Sequence, residues 1–223
     1  MDSNILARIL IWAVPVLFSI VIHEVAHGWT AYKLGDNTAK NMGRLTLNPL
    51  VHVDVMGTLI LPLIMIVMGG PVFGWAKPVP FNPYNFRPSV DRRNGTMWVA
   101  VSGPASNFAL AFIASFVLVI SKKFLSELPA ILYFSIYSLA YVFFKINLIL
   151  GFFNLIPLPP LDGSKILVRF LPQRLERQFL MLERYGLLIL ILILATGGFS
   201  TIVMGPVNLL EKIFLSIPIF LFQ

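Results

Sequence analysis

The stretch HEVAH, residues 23–27, sets two histidines and a glutamate inside a long apolar run. On an α-helix His23 and His27 lie four residues apart on one face, so both imidazoles can reach one ion. Zinc accepts imidazole nitrogen, and a catalytic zinc site holds three protein ligands and keeps a position for water. Glu24 points about 100° away from His23 around the helix axis, which suits a base for the attacking water better than a metal ligand.

A chance pentapeptide, with both histidines hydrogen-bonded in a core, is the simplest alternative to a metal site. Ionisable residues at membrane depth are costly and usually have a function. The chain has only three histidines, and two of them fall in this one pentapeptide. The apolar setting therefore favours metal binding.

A third ligand is expected in NLIPLPPLDGSK, residues 154–165. Three prolines interrupt the helix there, and Gly163 lets the backbone approach its neighbours closely. Asp162 is the acidic residue at this point, although a plain Asp-Gly turn would explain the dipeptide by itself. Beside the histidine pair, we predict that Asp162 completes a site for one Zn²⁺ per chain.

Two further polar residues each allow two roles. Asn154 could donate a hydrogen bond to the oxyanion formed during attack on a carbonyl, or it could tie down the freed backbone of the proline-rich loop. His52 could pair with Asp54, whereas a fourth metal ligand would close the site and stop catalysis. We therefore expect a structural or gating role for His52.

The composition bounds the class of protein. Of 223 residues, 57% are hydrophobic and 12% are charged, as in a polytopic membrane protein rather than a soluble domain. The absence of cysteine excludes disulfides and thiolate metal ligands. The net charge of +7 suggests basic cytoplasmic loops and anionic lipid headgroups, and no pattern of a nucleic-acid partner is present.

Long apolar segments must position these residues. Four have about the length that a membrane-spanning helix needs, at about 5–30, 95–120, 131–153 and 185–204. The segment 57–70 is short and contains Pro62, so it is expected to be re-entrant, and the apolar C-terminal run is expected to lie at the interface or on the bundle. We predict one integral-membrane domain over residues 1–223, with its catalytic core at about 5–170. Its fold is an all-α polytopic bundle of about four to six membrane segments.

A short β-hairpin near the active site is also predicted. In RLTLNPLVHVDV, residues 44–55, apolar and polar side chains alternate, and Asn48-Pro49 is a turn signal between two possible strands.

The basic residues predict the orientation. Of 17 lysines and arginines, seven fall between the first and second long segments and five between the third and fourth, against four on the opposite side. The positive-inside rule then places the active site toward the cytoplasm and the N-terminus outside, and the cell membrane is the expected location. This parity holds only if 57–70 does not cross. Lys145, inside the third segment, is expected to pair with an acid or to extend toward the interface.

Three motifs in this order resemble those of the site-2 proteases, which are intramembrane zinc metalloproteases: HEVAH, GPASN at 103–107 and NLIPLPPLDG at 154–163. The resemblance covers about residues 18–165. It implies that His23, His27 and Asp162 bind zinc and that Glu24 is the catalytic base. It also implies that Asn107 lines the active site and bonds a substrate carbonyl, although small-residue helix packing would explain the same motif.

The resemblance further implies regulated cleavage of transmembrane segments of single-pass membrane proteins in the bilayer. NPLVHVDVMG and GWAKPVP suggest a compact branch without a PDZ or regulatory domain. The oligomeric state stays open. A metal transporter or sensor without protease activity is the main alternative, but the later segments hold few polar residues besides Lys145. A structural partner with a relic site is another, and the intact base and ligands count against it.

Overall fold

The computed structural model describes residues 3–67 and 74–222, which form nine α-helices and no β-strand. In chain order the helices are α1 Ser3–Leu34, α2 Thr38–Asn41, α3 Leu61–Val67, α4 Arg92–Phe124, α5 Ala130–Leu155, α6 Asp162–Phe170, α7 Gln173–Leu180, α8 Glu183–Ala195 and α9 Gly198–Leu221. Four stretches in these ranges are long and apolar enough to cross a membrane: Ile11–Leu34 in α1, all of α4, all of α5, and Ser200–Leu221 in α9. The chain is an integral membrane protein, and the predicted all-α bundle is confirmed at the lower end of its range.

Helices α4 and α5 form the centre of the bundle, and α1 and α9 pack against both. The buried core on this axis combines small residues with a few large ones: Ala111, Ala114, Leu118, Ala140, Phe144, Leu148, Val203 and Val207. Alanines at a helix interface let the backbones approach closely, which is how membrane helices gain packing contacts.

The fourth spanning segment lies later in the chain than predicted. Gly197 adopts a left-handed conformation with φ of 76°, and it divides the apolar run 185–204 between two helices. The first, α8, has 13 residues and so extends only about 20 Å, which is too short to cross. The second, α9, continues through the C-terminal run and packs against α4 and α5. Of the two positions predicted for that run, at the interface or on the bundle, the structure shows the second.

An ion pair explains why α9 tolerates charge in its middle. Lys145 Nζ of α5 lies 2.5 Å from a carboxylate oxygen of Glu211 in α9. The expected pairing of Lys145 with an acid is therefore confirmed, and it joins the two helices inside the bundle.

The predicted β-hairpin at residues 44–55 is wrong. Asn48 accepts a hydrogen bond from the Leu50 N–H and starts a 3-10 turn at Pro49–His52. Asp54 accepts from the Gly57 N–H and starts a wider helical turn at Val55–Ile60. Such local bonds from side chain to backbone compete with strand pairing, and here they outweigh the alternating pattern.

The residues before and after the segment that contains α3 are hydrogen-bonded to each other. The N–H of Trp75 donates to the carbonyl oxygen of Gly57 at 3.1 Å, and the N–H of Lys77 donates to that of His52 at 2.8 Å. Residues 68–70 of the predicted re-entrant segment lie outside the described residues. Because Gly57 and Trp75 are neighbours, the chain begins and ends this excursion on the same side, as the predicted parity requires.

Candidate metal centre

Helix α1 presents His23 and His27 to the interior of the bundle. The rings lie edge to face with their centroids 4.6 Å apart, and their Nε2 atoms are 3.0 Å apart. Both residues are buried. The spacing of four residues therefore gives the shared face that the sequence predicts.

Asp162, the first residue of α6, completes the cluster. Its Oδ2 lies 3.1 Å from Nε2 of His23 and 3.1 Å from Nε2 of His27. The three candidate ligand atoms all lie within 4.8 Å of one another. Two imidazole nitrogens and one carboxylate oxygen, converging in a buried pocket, are a donor set that zinc accepts.

The turn before α6 brings Asp162 into place. Helix α5 ends at Leu155, and the proline-rich loop turns the chain back toward α1. A Cβ at Gly163 would lie 2.2 Å from the Leu155 carbonyl oxygen, so only glycine fits where α6 meets the end of α5. The close approach expected at Gly163 is confirmed.

Asp162 is held in its charged form. Burial by itself raises the pKa of this carboxyl, but hydrogen bonds and charge from His23 and His27 outweigh burial and hold the pKa well below its usual range. A deprotonated carboxylate is the form that binds a metal.

Both histidines direct Nε2 into the cluster because a partner holds Nδ1. His27 Nδ1 lies 2.6 Å from the Val99 carbonyl oxygen, and His23 Nδ1 lies 2.6 Å from Oδ1 of Asn107. Metal-binding histidines characteristically donate their other ring N–H in this way. The cluster therefore fits a resident metal ion.

Glu24 lies beside the cluster and outside the ligand group. Its Oε2 accepts a hydrogen bond of 2.8 Å from the Val79 N–H, in the segment without regular secondary structure that begins at residue 74. The carboxylate lines the same cavity as the two histidines and Asp162.

This cavity has a volume of about 430 Å³. Its apolar wall includes Ile20, Val99, Phe153 and Leu190, and Asn154 and Lys165 supply polar groups besides the metal cluster. The cavity therefore combines a largely apolar wall with a few polar groups close to the cluster.

The remaining predicted site residues lie in different settings. Asn154 lines the cavity and donates an N–H to the Leu150 carbonyl oxygen at 3.0 Å. Asn107 is fully buried behind His23. His52 is buried outside the cluster, where Nε2 bonds the Thr46 carbonyl oxygen at 2.9 Å, and the described residues give it no bond to Asp54. The roles predicted for Asn154, Asn107 and His52 stay predictions.

Sequence reasoning missed three residues around the centre. Lys165 lines the cavity with its Nζ 3.7 Å from Oδ1 of Asp162. Ser19 and Asn147 are fully buried and connect to Asn107. The available signal was a polar residue within an apolar stretch of α1 and another within α5, but their hydrogen bonds join residues 40 to 128 positions apart in sequence.

The chain is similar in sequence to a known peptidase family and to several known proteins. The sequence profile of Peptidase family M50 matches residues 129–196. "Putative zinc metalloprotease YwhC" of Bacillus subtilis is 38% identical over 82% of this chain and 79% of that protein. "Putative zinc metalloprotease Rip2" of Mycolicibacterium smegmatis is 29% identical, over 82% of this chain and 66% of that protein.

An archaeal protein, "Zinc metalloprotease MJ0392" of Methanocaldococcus jannaschii, is 26% identical over 77% of this chain but only 38% of its own length. No solved structure matches the chain significantly. The similarity to the Bacillus protein along most of both chains, the profile match and the apolar helices agree with the His–His–Asp cluster. The chain therefore belongs to peptidase family M50, the site-2 protease family of membrane zinc metalloproteases.

Proposed function

We propose that this protein is an intramembrane metalloendopeptidase that hydrolyses peptide bonds within or near transmembrane segments of single-pass membrane proteins, in regulated intramembrane proteolysis. The observation that carries the proposal is the buried cluster of His23, His27 and Asp162, with Glu24 beside it, in a cavity lined by membrane-spanning helices. The catalytic core is proposed to occupy about residues 5–170 of one domain.

His23, His27 and Asp162 are the proposed ligands of one Zn²⁺ per chain. Bound there, zinc supplies Lewis acidity, which polarises the scissile carbonyl and makes water a nucleophile near neutral pH. The three side chains are buried, so they hold their donor atoms in a medium where charge interactions are strong.

Glu24 is the proposed general base. Its Oε2 is held by the Val79 N–H, which leaves Oε1 as an acceptor for the proton of the attacking water. The same carboxyl group then returns that proton to the leaving amine.

Asn154 is the proposed donor to the substrate carbonyl. One N–H of its side-chain amide donates to the Leu150 carbonyl oxygen, and the second N–H is the proposed donor to a ligand in the cavity. A helical substrate hides its carbonyls in its own hydrogen bonds, so it must unwind locally before it can reach Asn154 and the metal.

The proposed setting is the cell membrane, with the active site toward the cytoplasm. The ends of α1 and α5 and the start of α4 meet around the cluster, so the two connections rich in basic residues leave from the same end of the bundle. This grouping supports the orientation that the positive-inside rule predicts.

Glu24→Gln tests the proposal. The amide keeps the shape of the side chain but cannot accept the proton, so we expect zinc per chain near wild type and peptide cleavage lower by about 10²-fold or more. Zinc content and the cleavage rate of a set of single-pass membrane proteins are to be measured on the same detergent preparations.

His23→Ala is the matched comparison, because it should lose zinc and cleavage together. Equal cleavage by wild type and Glu24→Gln would show that Glu24 is not the base. Zinc binding without cleavage of any substrate in the set would favour the alternative of a metal transporter or sensor.

A further inference from the structure

Three polar side chains form a continuous buried chain behind His23, away from the cavity. Ser19 of α1, Asn107 of α4 and Asn147 of α5 each have no exposed surface. Polar groups inside an apolar helix bundle are costly unless each one is hydrogen-bonded. Once the donor and the acceptor of one of these hydrogen bonds are known, they determine the donor and the acceptor of the next.

A backbone carbonyl determines the donor and the acceptor of the first hydrogen bond. The Ser19 hydroxyl lies 2.7 Å from the Pro15 carbonyl oxygen, which can only accept, so the hydroxyl donates. The oxygen of that hydroxyl is then the acceptor for Nδ2 of Asn147, 2.8 Å away.

A second carbonyl fixes the amide of Asn147. Its Nδ2 also donates to the Phe143 carbonyl oxygen at 2.8 Å. Turning this amide round would bring two acceptor oxygens together at Phe143. Oδ1 of Asn147 is therefore the atom that faces Asn107, and it accepts from Nδ2 of Asn107 at 2.8 Å.

The orientation of the Asn107 amide determines which ring nitrogen of His23 carries a proton. With its Nδ2 donating to Asn147 and, at 3.4 Å, to the Ser19 carbonyl oxygen, its Oδ1 lies 2.6 Å from Nδ1 of His23. An amide oxygen only accepts, so Nδ1 of His23 carries a proton. In the neutral ring Nε2 then has the lone pair that a metal ion needs.

We propose that Asn147 and Ser19 are positioning residues of the metal centre, which act through Asn107 to hold His23 in the tautomer that binds zinc through Nε2. The proposal rests on the metal site of the proposed function and adds residues that touch neither metal nor cavity. His27 needs no such chain, because the Val99 carbonyl oxygen fixes its Nδ1 directly.

The tautomer is measurable without metal in the Asp162→Ala variant, which removes the carboxylate that competes for a proton on Nε2 of His23. The chain has three histidines, so ¹⁵N-histidine labelling gives few signals, and the His23→Ala variant identifies that of His23. At a pH where the ring is neutral, we expect the proton on Nδ1 of His23. A proton on Nε2 would overturn the proposal without any variant of the network.

Asn147→Leu removes the acceptor that holds the Asn107 amide. The amide is then free to turn its Nδ2 toward His23, so we expect the Nδ1–H tautomer to lose population. The zinc affinity, measured by competition with a chelator, should fall 10- to 100-fold, the usual scale for loss of a partner that orients a ligand. Ser19→Ala should act in the same direction with a smaller effect, because Asn147 keeps the Phe143 carbonyl oxygen.

A rescue variant separates positioning from general damage to the fold. In Asn107→Asp combined with Asn147→Leu, the carboxylate at 107 can only accept, so it should restore the Nδ1–H tautomer and zinc affinity without help from residue 147. Ser115→Ala is the matched control, because Ser115 is fully buried in α4 and its one hydroxyl bond among the described residues goes to the Phe112 carbonyl oxygen of its own helix.

The outcomes separate this proposal from the proposed protease function. Wild-type zinc affinity and tautomer in Asn147→Leu would overturn the positioning role, whatever the cleavage rate. If the tautomer and affinity respond as expected while no substrate is cleaved, the positioning role stands and the protease function fails. If Asn147→Leu does not fold, the tautomer in Asp162→Ala, where the network is intact, and the Ser19→Ala affinity decide.

Discussion

Gly103 shows how closely the metal cluster is fitted to α4. A Cβ at this position would lie 2.4 Å from Cε1 of His27 and 2.6 Å from Cε1 of His23. Both contacts are shorter than atoms tolerate, and both rings are already fixed at Nδ1. The motif GPASN therefore begins with a residue that makes room for the two imidazoles.

We predict that Gly103→Ala displaces one or both imidazoles and lowers zinc retention and cleavage together. The measurement is zinc per chain after dialysis against a weak chelator, beside the thermal stability of the same preparation. Gly205→Ala is the control, because a Cβ there meets nothing within 4 Å and the residue also lies inside a spanning helix. Full zinc retention in Gly103→Ala would mean that α4 can move aside without disturbing the cluster.

At the scale of the elements, Asp36 joins the end of α1 to its surroundings. Its Oδ1 accepts from the N–H of Thr38 at 3.0 Å and from Nδ2 of Asn85 at 2.9 Å, and its Oδ2 accepts from the N–H of Asn82 at 2.6 Å. Burial raises the pKa of Asp36, but these bonds and that of the Thr38 hydroxyl outweigh it and lower the pKa below its ordinary value.

This depressed pKa predicts how stability depends on pH. An Asp whose pKa is lower in the folded protein stabilises it above the unfolded pKa of about 4, and this contribution is lost as the pH falls through the folded pKa. Asp36→Asn should therefore lower the thermal midpoint at neutral pH, and its difference from wild type should shrink below about pH 4. A difference that stays constant over that acid range would show that ionisation of Asp36 is not its source.

Elements with a local cause could be predicted from sequence, and those with a distant cause could not. His23 and His27 share a face because of helix geometry alone. The prolines before Asp162 end α5 because proline has no backbone N–H to continue a helix. The span of α9 was placed too early because Glu211 and Lys212 interrupt its apolar run, and Lys145, which neutralises Glu211, is 66 positions away. The predicted hairpin is wrong because Asn48 and Asp54 cap helical turns, and an alternating pattern does not reveal such caps.

At the scale of the whole molecule, the absence of cysteine makes the orientation testable. Glu127 is exposed between α4 and α5, and Arg174 is exposed in α7, in the connection that leaves from the metal end. With the metal end toward the cytoplasm, Glu127→Cys should react with a membrane-impermeant thiol reagent added to intact cells, and Arg174→Cys only after lysis. The reverse pattern would invert the orientation and place the metal end outside.

The separation of the metal ligands along the chain has a consequence for the stability of the folded protein. His23 and Asp162 are 139 positions apart, so an ion held by both would be a cross-link that closes a loop of most of the protein. In a polymer description, a cross-link over a loop of about 100 residues restricts the unfolded chain by several kcal/mol, as a disulfide does. In a protein that has no cysteine, the metal would take the place of that fastening, and its removal would release α6 from α1 at the same moment that it ends catalysis.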